Sequence, residues 1–335
     1  MVRPILLALA IGVACFLAPG ANAFGRSLLQ ECKKNGDRCS LYGPVGQCCD
    51  GLLCTMPLEC TSKGARSECQ PECRKQTLGS LVRVNYTSAS GTNTPGWEGG
   101  NKKKAAVIVM QVRRVVSARR IPTAAEGRVE GWWGVNEAIK ETALHIAEQG
   151  YRVFIPDLYR GRVALNSMEA VGLSSDLNWT RGVDDIVGAA NYLRATGSKK
   201  VAIVGFCQGG GMAYCGAQYA NVNAAIPFYG LPPNTSICNP LRIPKTVPVQ
   251  AHYGGNDTSF PMSRVMPAIN GMQAAGVNIQ FNLYPGLPHA FMNGIIPAGR
   301  LQMAGGRSNF VYPNETLVTQ AFAKMTNFLR LHIRY

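Results

Sequence analysis

The chain has 335 residues, 46% of them hydrophobic, with 37 glycines and a formal charge of +15. That length sets a prior of about two domains, and that apolar content excludes a disordered or fibrous chain. The positive charge favours an anionic partner such as an acidic extracellular polysaccharide, or a plain solvated basic surface. Without an interleaved aromatic–basic repeat it does not mark a nucleic-acid surface. Part of the excess is local: residues 112–130 hold five arginines against two glutamates.

In chain order, Arg3 precedes an apolar run over residues 5–18, and Ala21-Asn22-Ala23 supplies a small-residue cleavage signal. This three-part order predicts a secretory signal peptide over residues 1–23, followed by a secreted or lumenal protein with no membrane span. Next comes a cysteine-rich segment, residues 24–76, spaced C-x6-C-x8-CC-x4-C-x5-C and then Cys69 and Cys73. Glycine, proline and polar residues fill its gaps, so disulfides must replace a hydrophobic core there. A zinc site is disfavoured, since the segment has no histidine and no C-x-x-C pair. Its eight cysteines allow 105 pairings. The adjacent Cys48-Cys49 pair resembles the knottin miniproteins. That resemblance implies Cys32–Cys49, Cys39–Cys54 and Cys48–Cys60, leaving Cys69–Cys73. Sequons at Asn85, Asn178, Asn234, Asn256 and Asn314 are candidate N-glycosylation sites.

Residues 77–335 form the predicted catalytic domain. Residues 81–87 alternate like an edge strand, and the remainder of 74–104 reads as linker and turn. Thereafter strands and helices alternate: strand 105–110, helix 136–150, strand 151–157, helix 179–197, strand 200–206 and a helix from Gln208. Strands 224–230 and 247–254, a helix near 262–275, strand 278–286 and a helix near 315–332 complete the series. Ile139, Ala143, Ile146 and Ala147 share one helical face, as do Val183, Ile186, Val187 and Ala190. Apolar strands separated by helices predict an α/β fold, a mostly parallel sheet with helices on both faces.

Gly205-Phe206-Cys207-Gln208-Gly209 stands between a strand and a helix, the setting of a nucleophile elbow. The glycines allow the reversal, and the helix N-terminus favours a thiolate on Cys207. The Gln208 N–H then points where an oxyanion would form. The expected acid and base follow in order, each just after a strand: Asp257 in HYGGNDTSFP and His289 in YPGLPHAF. His145 falls mid-helix, His252 within a strand, and His332 at the last helix end.

Together GWWGVN (131–136), IPDLYRG (155–161), GFCQGG (205–210), GGNDTSFP (254–261) and HAFMN (289–293) resemble the dienelactone hydrolase family of α/β-hydrolases. The resemblance implies a Cys207–Asp257–His289 triad. The implied reaction is hydrolysis of a small ester or lactone through a thioester, with no metal or organic cofactor. It further implies a second oxyanion donor at the Trp132 N–H. Two positions depart from the family pattern. Gly131 occupies the place where family members commonly carry a glutamate. Asn293 occupies the place of an arginine that binds substrate carboxylate, and Arg160 and Arg162 at a strand end are candidate replacements. The competing reading is a secreted binding protein with an inactive hydrolase-like domain and a knottin-like interaction module.

Of the downstream cysteines, Cys215 lies eight residues along a helix from Cys207, about 12 Å at 1.5 Å per residue. That exceeds the roughly 7 Å a disulfide spans. Cys215 and Cys238 remain a pair the sequence permits. Residues 112–130 have no clear period, and joining Gln111 to Gly131 restores a family-like IVMQ-GWWGVN. A retained intron or a mis-set exon boundary would explain them. On that account a tryptic digest of the native protein lacks the peptide IPTAAEGR, and its detection by mass spectrometry shows the segment to be translated.

Overall fold

The computed structural model describes residues 79–110, 134–163, 172–173, 175–233, 235–304 and 310–334, of which helix residues 301–302 are described by backbone alone, as are strand residues 52–55, 72–75 and 111–112. All fall in the second of two compact units, Lys33–Tyr335; the first, Met1–Cys32, lies outside the described residues. So do the predicted signal peptide, most of the cysteine-rich segment, most of the 112–130 stretch, Trp132 and Asn234. Within the cysteine-rich segment, β1 (Leu52–Thr55) and β2 (Glu72–Lys75) pair antiparallel, setting the backbone of Cys54 opposite Cys73.

Residues 82–284 build one eight-stranded sheet ordered β10-β9-β8-β7-β5-β6-β4-β3. Its strands are β3 (Val82–Thr87), β4 (Asn93–Gly99), β5 (Ala106–Val112), β6 (Arg152–Pro156) and β7 (Val201–Cys207). They continue with β8 (Ala224–Phe228), β9 (Val249–Gly254) and β10 (Ile279–Tyr284). From β6 through β10 the neighbours run parallel, whereas β4 and β3 turn antiparallel at one end. The helices are α1 (Glu137–Glu148), α2 (Trp179–Ala195), α3 (Gln208–Tyr219), α4 (Met262–Ala274), α5 (Pro297–Ala304) and α6 (Glu315–Ile333).

Strand parity assigns the two faces. Ile203 on β7 packs against Gly216 of α3, and Gly182 of α2 lies under Met212 of α3. Phe206, of opposite parity, lines a cavity with Thr142 and His145 of α1 and with Phe322 and Met325 of α6. Helices therefore cover both faces, and every residue of β6, β7 and β8 is buried. Asn136, Asn178 and Asn314 cap α1, α2 and α6 by accepting the N–H of Ile139, Arg181 and Leu317. Asn178 and Asn314 are also sequon residues, and they are exposed, as is Asn85 on the edge strand β3.

β4 is the main departure from the sequence reading, which left this stretch as linker. Pro95 and Gly96 argue against a strand away from the sheet edge, yet β4 pairs with β3 on one side and β6 on the other. The Phe154 ring lies where a Cβ on Gly96 would stand, so only glycine fits that register. Burial compensates the poor propensity. Glu98 of β4 receives Arg152 of β6, which is 0% exposed, with Nη2–Oε1 at 2.6 Å. Arg152 also donates to the Leu193 carbonyl and to the Ser198 and Thr196 hydroxyls, while the Tyr192 hydroxyl donates to Glu98. The pair thereby locks two strands to α2.

A disulfide joins Cys215 of α3 to Cys238, both buried, and fixes the connection after β8 to that helix. Arg160, a candidate anion ligand, is instead committed to Asp185: Nη2 to Oδ1 and Nη1 to Oδ2, each at 2.9 Å. Its companion Arg162 is exposed. Replacing Arg152 with methionine leaves the Glu98 carboxylate buried without its cation. Urea unfolding of that variant is expected to show a loss of about 3–5 kcal/mol, with part regained in Glu98→Gln/Arg152→Met.

Candidate active site

β7 delivers Cys207 to the carboxyl end of the sheet, and α3 starts at the next residue. The reversal forces Cys207 to φ 59° and ψ −121°, a left-handed region that a side-chain-bearing residue rarely adopts. Packed backbone holds it there. A Cβ on Gly205 would strike the Gly209 carbonyl, and one on Gly230 would strike the carbonyl of Cys207 itself. The glycines at these places are steric requirements of the elbow. Cys207 is 6% exposed and belongs to no disulfide.

His289 follows β10 and Asp257 follows β9, as their sequence positions predicted. The imidazole Nδ1 lies 2.8 Å from Asp257 Oδ2, and Nε2 lies 3.0 Å from Cys207 Sγ. Three side chains from the carboxyl ends of three different strands thus form one line. The remaining Asp257 oxygen accepts the N–H groups of Ser259 (2.8 Å) and Phe260 (2.9 Å), which fixes the carboxylate from behind. Aromatic rings complete the surround. Tyr229 stands edge-on to the imidazole at 5.1 Å and Phe260 stacks on it at 5.9 Å. Arg264 in turn lies over Phe260 at 5.1 Å.

The electrostatics of His289 follow from these neighbours. Burial alone would lower its pKa. The charge on Cys207 and the hydrogen bonds to Asp257 and Cys207 outweigh burial and hold it at about 9. A thiolate on Cys207 and the His289 imidazolium would stabilise each other. The other histidines differ in kind. His252 is fully buried between the Tyr284 hydroxyl (2.8 Å) and Gln250 (2.9 Å), and burial keeps its pKa far below the ordinary range. His145 lies in α1, pressed to about 4 by burial and then by Arg300. His332 packs on Phe328 near the end of α6.

Gln208, the other predicted oxyanion donor, is the first residue of α3. Sequence reasoning passed over Tyr229 and Phe260. The signal for Phe260 was present, since it sits in the loop past β9 where the acid was sought, whereas Tyr229 was read as part of strand 224–230 and β8 ends one residue before it. Among the described residues no group of three or more histidine, cysteine or acidic side chains is placed to hold a metal ion. No described helix is long and apolar enough to cross a membrane.

The sequence of the dienelactone hydrolase family matches over residues 129–332, more than half of the chain. The chain belongs to the dienelactone hydrolase family. That membership makes it a carboxylic ester hydrolase. It is 33% identical over 177 residues to the protein usf of Aquifex pyrophilus, covering 49% of this chain and 75% of that one. To the carboxymethylenebutenolidase of Pseudomonas putida it is 27% identical over 171 residues, covering 48% and 71%. The fold matches the dienelactone hydrolase-like promiscuous phosphotriesterase P91 from metagenomic libraries, with a TM-score of 0.56 at 19% identity, over 76% of this chain and 99% of that one.

If Cys207 raises the pKa of His289, removing the sulfur must lower it. In an NMR titration the His289 ring is expected to titrate near pH 9 in the wild type. In Cys207→Ala it should fall towards the ordinary value of about 6.5. An unchanged midpoint would assign the shift to Asp257 alone.

Proposed function

We propose that this hydrolase cleaves small carboxylic esters or lactones with Cys207 as nucleophile, His289 as acid and base, and Asp257 as the group that orients it. One observation carries the reading: the unbroken line from Asp257 through His289 to Sγ, with steps of 2.8 and 3.0 Å. Both steps are within hydrogen-bonding reach.

The thiolate attacks the acyl carbon, and the carbonyl electron pair moves to oxygen. The N–H of Gln208 receives that oxyanion, with the N–H of Trp132 as its second donor. Collapse of the intermediate breaks the ester C–O bond, and His289 Nε2 gives its proton to the leaving alkoxide. A thioester on Cys207 remains. Water then attacks the thioester carbonyl while neutral His289 takes the proton. Collapse releases the carboxylic acid, and thiolate and imidazolium are restored. Throughout, Asp257 keeps Nδ1 protonated, so Nε2 is the nitrogen that exchanges a proton with the reactants. Each donor lost from the oxyanion site costs about 2.7–4 kcal/mol of transition-state stabilisation.

The proposal extends to location. The signal-like segment at residues 1–23 and the Cys215–Cys238 disulfide support export through an oxidising compartment. Asn85, Asn178 and Asn314 are exposed, and they would carry glycans there. At the two helix caps the side-chain oxygen is engaged, and a glycan attaches to the amide nitrogen.

Cys207→Ala, assayed with p-nitrophenyl esters and simple lactones, is expected to lose activity by at least about 10³-fold while keeping its fold. Activity unchanged by this substitution removes the mechanism. A wild-type protein inert to every ester and lactone tested favours the binding-protein reading.

A further inference from the structure

The turn that follows β8 touches both partners of the reactive pair. Tyr229 is 1% exposed and held at φ 37°, another left-handed residue with a full side chain. Its backbone N–H donates to the His252 carbonyl of β9 at 2.8 Å, which anchors the strained residue to the sheet. The ring stands edge-on to His289, centroids 5.1 Å apart and planes at 64°. It stands edge-on to Phe291 as well, at 5.1 Å and 70°. Its hydroxyl oxygen faces the N–H of Met292. One side chain therefore reaches three residues of the turn 289–292.

The next residue meets the nucleophile. Gly230 packs against the Cys207 carbonyl so closely that no Cβ fits, and its own carbonyl accepts the Tyr253 hydroxyl at 2.6 Å. Two adjacent residues after β8 thus set the nucleophile's backbone and the base's ring against one frame.

The turn bearing His289 needs that frame. Ala290 is left-handed, with φ 60°, and the Asn293 N–H closes the turn on the Ala290 carbonyl at 3.0 Å. A turn with a strained alanine relaxes unless neighbours oppose it. Burial, and after it the charge of Cys207, push the Tyr229 phenol upward, so it remains protonated while its oxygen lone pairs stay available to Met292. The charged groups bearing on the imidazole are Cys207 from the β7–α3 junction and Asp257 after β9, while the faces towards β8 and α4 carry the rings of Tyr229 and Phe260.

We infer that Tyr229 is a positioning residue for the catalytic histidine: its ring and hydroxyl hold the 289–292 turn so that Nε2 stays on the Cys207 sulfur. The inference rests on the triad reading above.

The test is Tyr229→Phe in the full-length protein, which keeps the ring and deletes the hydroxyl. Turnover of p-nitrophenyl acetate, normalised to folded enzyme, should fall about tenfold in kcat with KM unchanged, as expected for a small misplacement of a catalytic group. Alkylation of Cys207 by iodoacetamide at pH 6 reads the thiolate directly, without turnover, and should fall in parallel. Tyr229→Leu, which removes the ring as well, should lower both further. A Tyr229→Phe protein with wild-type kcat and a wild-type alkylation profile, whether or not its melting temperature drops, makes Tyr229 a packing residue and overturns the inference. That outcome leaves the triad reading standing, since the triad fails only if activity or pH 6 alkylation survives in Cys207→Ala.

Discussion

The architecture turns on the junction between β7 and α3. A cysteine in a left-handed conformation is costly, about 1–3 kcal/mol, and it persists only if its surroundings leave no relaxed alternative. They leave none. β7 is central, hydrogen-bonded to β5 and β8 and buried along its whole length. The carbonyls of Gly209 and Cys207 fill the space above Gly205 and Gly230, so the chain cannot straighten without pushing backbone into backbone. Close packing turns a local strain into a fixed position for sulfur. The Cys215–Cys238 disulfide works on the same helix, tying to it the connection that begins at Tyr229 and Gly230.

Charge is then placed by contrast. Four histidines lie in the chain, and burial alone would make every one of them neutral. His252 is more deeply buried than His289, and its neighbours are a phenol and an amide, so it has no reason to hold a proton. His289 has a carboxylate on one nitrogen and a thiol on the other, and these reverse the sign of the shift. The flanking rings of Tyr229 and Phe260 exclude water without competing for those nitrogens. A dry surround strengthens the remaining electrostatics, which is why two hydrogen bonds suffice.

Much of this was legible before the coordinates. The alternation of apolar strands with amphipathic helices sets the sheet because burial on both faces leaves a continuous hydrophobic run, as in β5, β7 and β8. The triad was legible because nucleophile, acid and base each fall directly after a strand, where the topology gathers loops at one edge. Less visible was anything decided by tertiary contact against local preference. Pro95 and Gly96 speak against β4 locally, and only Phe154 and the Glu98–Arg152 pair, 54 residues apart in sequence, explain the strand. Arg160 looked available for an anion because Asp185 is 25 residues away and on another element. Tyr229 carries no motif: its left-handed backbone arises from a register shared by β8 and β9, which no window of sequence contains.

The thiolate proposed for Cys207 and a disulfide on the following helix pose a chemical conflict that the fold resolves by geometry. Thiolates attack disulfides, and Cys207 immediately precedes the helix that carries Cys215. They are eight residues apart, about 12 Å along the axis, and the helix is too stiff to bring them together. Cys215 is fully buried and already joined to Cys238, so attack by Cys207 would require unwinding α3. That helix also supplies the amide proposed for the oxyanion, so unwinding it would destroy the site together with the exchange. The same rigid element that presents the sulfur therefore prevents its capture. At 6% exposure, Cys207 is also shielded from large thiols. Both properties suit the cysteine mechanism proposed above, and both follow from the glycine-enforced reversal at the end of β7.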